Sequence, residues 1–258
     1  MSTLNPEMRL RVGGITDMST IDWYGNVSLI VFCAGCNYRC PYCQNSALIP
    51  VDAGREIDLA FLKERIEANK IIDDAVVFTG GEPVLQPDAI IEAAKLAKSL
   101  DLKVMLDTNG SVKENLDRIL RSGYIDRVAL DVKAPLNPTD YGAVTGRPDL
   151  GEKSVEAVEH CLNLSKQLGI QMEVRTTVAP GLSDAPEFIA SIAESIKDRC
   201  DVYYLQQFDN LGEVLSQTLK ERQPPSRETM MSLAQEAHRT GLKNVFIKTR
   251  SNGLERMG

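Results

Sequence analysis

Apolar residues along this chain follow two rhythms. Short runs rich in valine, isoleucine, leucine and phenylalanine alternate with longer stretches in which apolar residues return at spacings of three and four. The short runs predict strands over 27–32, 75–78, 103–106, 127–131, 172–177, 201–205 and 244–247, and the longer spacing predicts helices over 59–70, 87–100, 112–123, 154–169, 186–198 and 226–241. Gly123, Gly169 and Gly241 stand where three of these helices take a C-terminal cap. Repeated strand–helix units imply parallel strands with covering helices. No long linker, low-complexity tract or regular repeat interrupts them, which predicts a single domain over 1–258.

The polar residues are placed as regularly as the apolar ones. "TGGEP" follows the second predicted strand, "DTNG" the third, "DVK" the fourth, "TTVAPG" the fifth and "QQF" the sixth. They collect at the carboxyl ends of strands, where barrels and open α/β sheets alike build their sites. Composition adds the setting. With 258 residues, 43% hydrophobic and 25% charged, the chain has the balance of an ordinary soluble protein. A net charge of -7 argues against broad attachment to nucleic acid or to an anionic membrane, since both depend on clustered cations. No apolar run reaches the length of a spanning helix, and "MSTLNPEMRLRV" lacks the apolar centre of a signal peptide, so a cytoplasmic location is expected.

Against that background one loop stands out. "IVFCAGCNYRCPYCQN" carries four of the six cysteines, spaced Cys33-x2-Cys36-x3-Cys40-x2-Cys43, just after the first predicted strand. A reducing compartment disfavours a disulfide framework. Structural zinc sites join two cysteine pairs across a longer loop than the three residues available here. The ferredoxin run of C-x2-C-x2-C-x3-C followed by proline does not match either. Without Cys33 the remainder is Cys36-x3-Cys40-x2-Cys43, with the aromatic Tyr42 before the last cysteine.

In this form the loop resembles the radical S-adenosylmethionine (SAM) superfamily, and "FTGGEPVLQPD" resembles that family's GGEP segment. "LDTNGS", "ALDVKAP", "EVRTTVAPG" and "YYLQQF" are similar, in order, to later strands of glycyl-radical-enzyme activating proteins. The likeness covers about residues 20–210 and is nearest to the anaerobic ribonucleoside-triphosphate reductase activating proteins. It implies a partial (β/α)6 barrel of the TIM-like type, to which the apolar pattern beyond it adds a C-terminal helix and an extra strand over about 226–250. It also implies a 4Fe-4S cluster held by Cys36, Cys40 and Cys43 with one iron open to SAM, and reductive cleavage of SAM to a 5'-deoxyadenosyl radical. No catalytic residue is implied beyond cluster and cofactor.

By the same resemblance Gly80, Gly81, Glu82 and Pro83 lie at the SAM amino group, where glycines would let the backbone approach closely. Asp107, Thr108 and Asn109 lie near the methionyl end, Asp131 and Lys133 at its carboxylate, and Arg175 on the ribose side. Gln206 or Gln207 stands where pyruvate formate-lyase activating enzymes have a histidine near adenine. Asp107 and Asp131 offer an alternative use, holding a monovalent cation. Cys33, Cys161 and Cys200 are too dispersed to build a second cluster with four cysteine ligands, which implies an external flavodoxin or ferredoxin as electron donor. The implied substrate is a glycine of a glycyl radical enzyme, foremost an anaerobic ribonucleotide reductase. A radical SAM enzyme acting on a small molecule, such as a deazapurine synthase, and a non-catalytic iron-sulfur protein are the rival readings.

Several residues carry plainer expectations. Cys33, Cys161 and Cys200 read as small packing residues, and His160 and His238 as surface or capping groups. Glu82 can touch SAM or bond within its own turn. Trp23 and Tyr24 read either as an aromatic lip near the cluster or as ordinary packing.

Overall fold

The computed structural model describes residue 5 and residues 8–257. Its contacts divide into two compact units, the first of residues 1–37, 47–108 and 112–128, the second of residues 38–46, 109–111 and 129–258. The first contains β1 (Arg9–Ser19), β2 (Ser28–Cys33), β3 (Arg55–Asp58), α1 (Leu59–Asn69), β4 (Ala75–Gly80), α2 (Pro87–Ser99), β5 (Lys103–Thr108) and α3 (Lys113–Arg121). β6 (Arg127–Asp131) begins in the first unit and ends in the second. The second unit continues with α4 (Pro138–Val144), α5 (Gly151–Leu168), β7 (Gln171–Val178), α6 (Pro186–Ile196), β8 (Val202–Gln207), α7 (Gln217–Lys220), α8 (Arg227–Arg239), β9 (Val245–Thr249) and β10 (Gly253–Arg256).

In the first unit the strand order is β5-β4-β2-β1-β3. β2, β4 and β5 run parallel, and β1 is antiparallel to both β2 and β3. The parallel strands are almost continuously apolar because they are covered on both faces: Val76, Val77 and Phe78 of β4 and Val104, Met105 and Leu106 of β5 are all buried. α2 lays Ala89, Ile90, Ala93, Ala94 and Ala97 into the core from one stripe, after a proline in its first turn. α1 starts at Asp58, whose side chain accepts the amide of Phe61. In the second unit β7, β8 and β9 run parallel, with β6 beside β7 and β10 antiparallel to β9 at the edge. α5 ends at Gly169 in the left-handed conformation, as expected, and Gly123 and Gly241 also have positive φ just beyond their helices.

All seven expected strands are present, the seventh as β9. β1, β3 and β10 are additions. β1 escapes a period-two reading because it bulges at Gly13, where a side chain would run into Leu48, and its register with β2 slips between Val12 and Gly14. The aromatic lip is a correction. Trp23 and Tyr24 precede β2, at the opposite end of that strand from Cys33; Trp23 is buried under the guanidinium of Arg127 and Tyr24 is exposed. Cys161 is buried in α5, and His238 makes a ring-nitrogen contact with the carbonyl of Leu242 just past α8.

The turn from α1 into β4 holds an unusual carboxylate. Asp73 is buried, and among the described residues neither of its oxygens has a hydrogen-bond partner. Burial, and then the charges of Asp17 and Asp74, push it up to about 6. Its folded value lies above its unfolded one, so the native state binds more protons between the two and loses stability as pH rises towards about 6. Asp73→Asn is therefore expected to melt higher than the parent at neutral pH, with the two converging below about pH 4. Thermal unfolding across that range checks it.

Candidate functional site

In the first unit the cysteine loop leaves β2 against the end of β4. Cys33 pairs with Gly80 in the parallel register, and the amide of Gly81 donates to the carbonyl of Cys33 at 2.8 Å. Glu82 donates its amide to Gly35 at 2.7 Å, Gly35 donates to Leu48 at 2.8 Å, and Cys36 donates to Ile49 at 3.0 Å. The glycines are required by this approach. Gly80 has φ +110°, and a Cβ on Gly81 would lie 2.3 Å from the carbonyl oxygen of Gly35. The space that the missing side chain leaves at Gly81 is thus filled by the residue beside Cys36.

Glu82 is fully buried and bonds within its own turn, accepting from the amide of Val84 at 3.0 Å and from the hydroxyl of Thr108 at 2.6 Å. Pro83 follows in the first position of a short 3-10 turn. Asp107, half-buried at the end of β5, accepts from the hydroxyl of Thr79 at 2.8 Å. Burial, with Glu82 nearby, pushes the Cys33 thiol far up, while Cys36 is partly exposed.

The second unit holds the other half of the loop. Cys40 is buried, Cys43 partly exposed, and the amide of Cys43 closes a turn onto the carbonyl of Cys40 at 2.9 Å. Arg39 donates its amide to Thr145 at 2.8 Å; Gly146, with φ +65°, lets the chain pass so close that a Cβ there would lie 2.4 Å from the carbonyl of Arg39. Burial pushes the Cys40 thiol up to about 11, Lys133 pulls it back, and Cys43 and Asp131 add to the rise. Lys133 bonds the carboxylate of Asp131 at 2.7 Å and lies 5.9 Å from the ring centroid of Tyr42. Burial works against its charge, but Asp131, with Tyr42 and Cys40, holds it well above the usual lysine range.

Asn109 is buried and accepts the amide of Ser111 at 2.9 Å. Arg175 is buried on β7 with its Nε bonded to Glu173, a partner that sequence alone does not disclose. Gln207 is committed to the carbonyl of Pro225 and the amide of Arg250, which leaves Gln206, paired between Thr177 and Lys248 in the sheet, as the glutamine with the freer role.

One element of this half has no signature in the sequence pattern. Residues 209–216 form a strap laid along the cysteine loop: Leu215 donates to Cys43 at 3.2 Å, Ser216 to Pro41 at 2.9 Å, and Asn45 bridges Glu213. Gln44 adds a side-chain bond to the carbonyl of Asp209 at 3.1 Å, and Ser46 one to Glu213 at 2.5 Å. "DNLGEVLS" has neither strand nor helix period, so only its turn residues hint at it.

All six cysteines are free thiols. Among the described residues no three His, Cys, Asp or Glu side chains are drawn together as a ready-made metal site. The donor set nevertheless suits an iron-sulfur cluster: three soft sulfur donors on an ordered loop, with Cys33 fully buried in the strand end behind them.

The comparisons with known proteins agree with this donor set. The model of the radical SAM superfamily matches residues 30–193. A relative in Methanocaldococcus jannaschii, provisionally designated a glycyl-radical enzyme activating enzyme, is 33% identical over 96% of this chain and 100% of its own length. The pyruvate formate-lyase-activating enzyme of Clostridium pasteurianum is 31% identical over 73% of this chain and 76% of its own. Among solved structures, a radical SAM methyltransferase from Sphaerobacter thermophilus superposes with a TM-score of 0.70 at 14% identity, over 88% of this chain and 67% of that one, and shows the same fold. The chain belongs to the radical SAM superfamily, with the partial TIM-like barrel of that class, and its relatives place it with the glycyl-radical-enzyme activating enzymes.

The Gly81 contact yields a prediction. In Gly81→Ala the new methyl must displace the Gly35 backbone, at a cost of about 1–3 kcal/mol, and must carry Cys36 with it. The variant is expected to melt lower and to take up less iron on reconstitution. Normal iron uptake with weakened SAM binding would instead place the pressure of this glycine on the cofactor alone.

Proposed function

We propose that this radical SAM enzyme generates a glycyl radical on a partner enzyme, foremost an anaerobic ribonucleotide reductase. The full-length likeness to an activating enzyme carries the reading. Cys36, Cys40 and Cys43 would hold a 4Fe-4S cluster, and Cys33 would stay a packing residue. When bound, cluster and SAM together would supply one electron to the sulfonium and a 5'-deoxyadenosyl radical able to take a hydrogen atom from glycine.

The chain's own residues bind, orient and exclude water. The turn Gly80-Gly81-Glu82-Pro83 would present its backbone to the SAM amino group, with Glu82 fixing the turn through Val84 and Thr108. Asp107, Thr108 and Asn109 would border the methionyl end. Lys133 has three donors, so its bond to Asp131 leaves others for the SAM carboxylate. Arg175, oriented by Glu173, would face the ribose side, and Gln206 the adenine. Asp107 and Asp131 are the carboxylates to which a monovalent cation would be assigned. With no second set of four cysteines, electrons would come from an external flavodoxin or ferredoxin. Among the described residues no helix is long and apolar enough to cross a membrane, in keeping with work in the cytoplasm.

Two measurements test this. Reconstituted Cys36→Ala, Cys40→Ala and Cys43→Ala should each lose the SAM-responsive EPR signal of the reduced cluster, whereas Cys33→Ala should keep about four irons per chain. Anaerobic incubation with SAM, reductant and the reductase should give 5'-deoxyadenosine and a glycyl radical doublet. Turnover of SAM with a modified metabolite and no protein radical would favour the small-molecule reading instead.

A further inference from the structure

The first unit carries an apolar surface that the proposed chemistry does not use. Met18, Ile21, Tyr24 and Ile72 are at least half exposed, and Ile71 is fully exposed. They lie on two neighbouring segments. Val27 and Asp74 exchange hydrogen bonds at 2.8 and 2.9 Å, and Arg65 of α1 pairs with Asp17 of β1. Both segments lie at the amino ends of β2 and β4, the length of a six-residue strand, roughly 20 Å, from Cys33 and Gly80. A helix-to-strand turn ordinarily takes small or polar residues. Two successive exposed isoleucines there, next to three more exposed apolar side chains, mark a surface that is covered in use.

The charges say by what. The segment reads Lys70-Ile71-Ile72-Asp73-Asp74, a cation and two anions on either side of an apolar pair. Set against itself about a two-fold axis, such a segment places each Lys70 opposite the other copy's Asp74 and the isoleucines against one another, as an isologous contact requires. Lys70 and Asp74 are both exposed, and among the described residues Lys70 has no ion-pair partner. The wider face also carries both signs. Asp17 and Asp22 lie on it beside Arg65, Lys103 bonds Asn26, and Arg127 covers Trp23. A face of mixed sign suits a copy of itself better than a partner of one sign.

We infer that a second copy of this chain docks here, in a two-fold contact centred on Ile71 and Ile72, with Lys70 of each copy facing Asp74 of the other. The contact lies at the opposite ends of β2 and β4 from Cys33 and the GGEP turn, so within the first unit it is an assembly surface separate from the chemistry.

Sedimentation velocity of the full chain, purified anaerobically and run over a dilution series, tests it. The parent is expected to form a dimer that dissociates on dilution. Ile71→Asp is expected to be monomeric throughout, and Lys70→Glu to raise the dissociation constant about tenfold or more. Both are solvent-exposed positions, and at dilutions where the parent is monomeric both variants should match its melting temperature and iron content, which separates lost docking from lost folding. A parent that is monomeric at every concentration overturns the proposal and leaves the surface to a different protein. A dimer that both variants leave intact overturns it equally.

Discussion

The first unit is organised by a contact between two backbones. β4 ends in two glycines that lie against Cys33 and Gly35 with no side chain between them, and the amides of Gly81 and Glu82 are satisfied by those residues' carbonyls. Everything nearby inherits its position from that contact. Cys36 leaves the loop one residue after Gly35, Glu82 is buried one residue after Gly81, and Thr108 at the end of β5 is drawn to Glu82. The GGEP turn thus fixes the backbone on either side of the step from Cys33 to Cys36. Because it works through main-chain atoms, no side chain chosen at these positions could replace it.

The second unit fixes its cysteines by a different route. Cys40 and Cys43 sit in a turn gripped by Thr145 and Gly146 on one side and by the 209–216 strap on the other. Tyr42, the aromatic residue of the motif, is buried among them and lies within reach of the charge of Lys133. One aromatic ring therefore relates the cysteine turn to the carboxylate–lysine pair at the end of β6. A buried cation costs a great deal without a partner, and here Asp131 satisfies it without filling its three donors.

Much of this is legible in the amino-acid pattern, for identifiable reasons. The parallel strands are buried on both faces, so they appear as apolar runs, and the long helices show their stripes. The cysteine spacing and the GGEP turn are local in sequence and survive as motifs. What the pattern hides is short, irregular or dependent on distant partners. β3 and β10 are four-residue strands with polar sequences, α4 is seven residues with a glycine inside it, and β1 loses its alternation at a bulge. Glu82 admits two readings until Val84 and Thr108 are found bonded to it, and Arg175 gives no sign of Glu173 as its partner. Trp23 and Tyr24 precede the strand that leads to the cysteine loop, and nearness in sequence to that strand misleads about which of its ends they occupy.

The strap has a consequence for how the protein is made. Gln44 and the carbonyl it bonds on Asp209 are 165 residues apart along the chain, so the ribosome must add all of that length after the motif before the cysteine turn can be closed from that side. Until that length is made, Cys40 and Cys43 are thiols on a segment open on that side, where oxidants and metals can reach them. A product that stops before the strap would carry the whole motif with the cysteine turn held from the Thr145–Gly146 side alone.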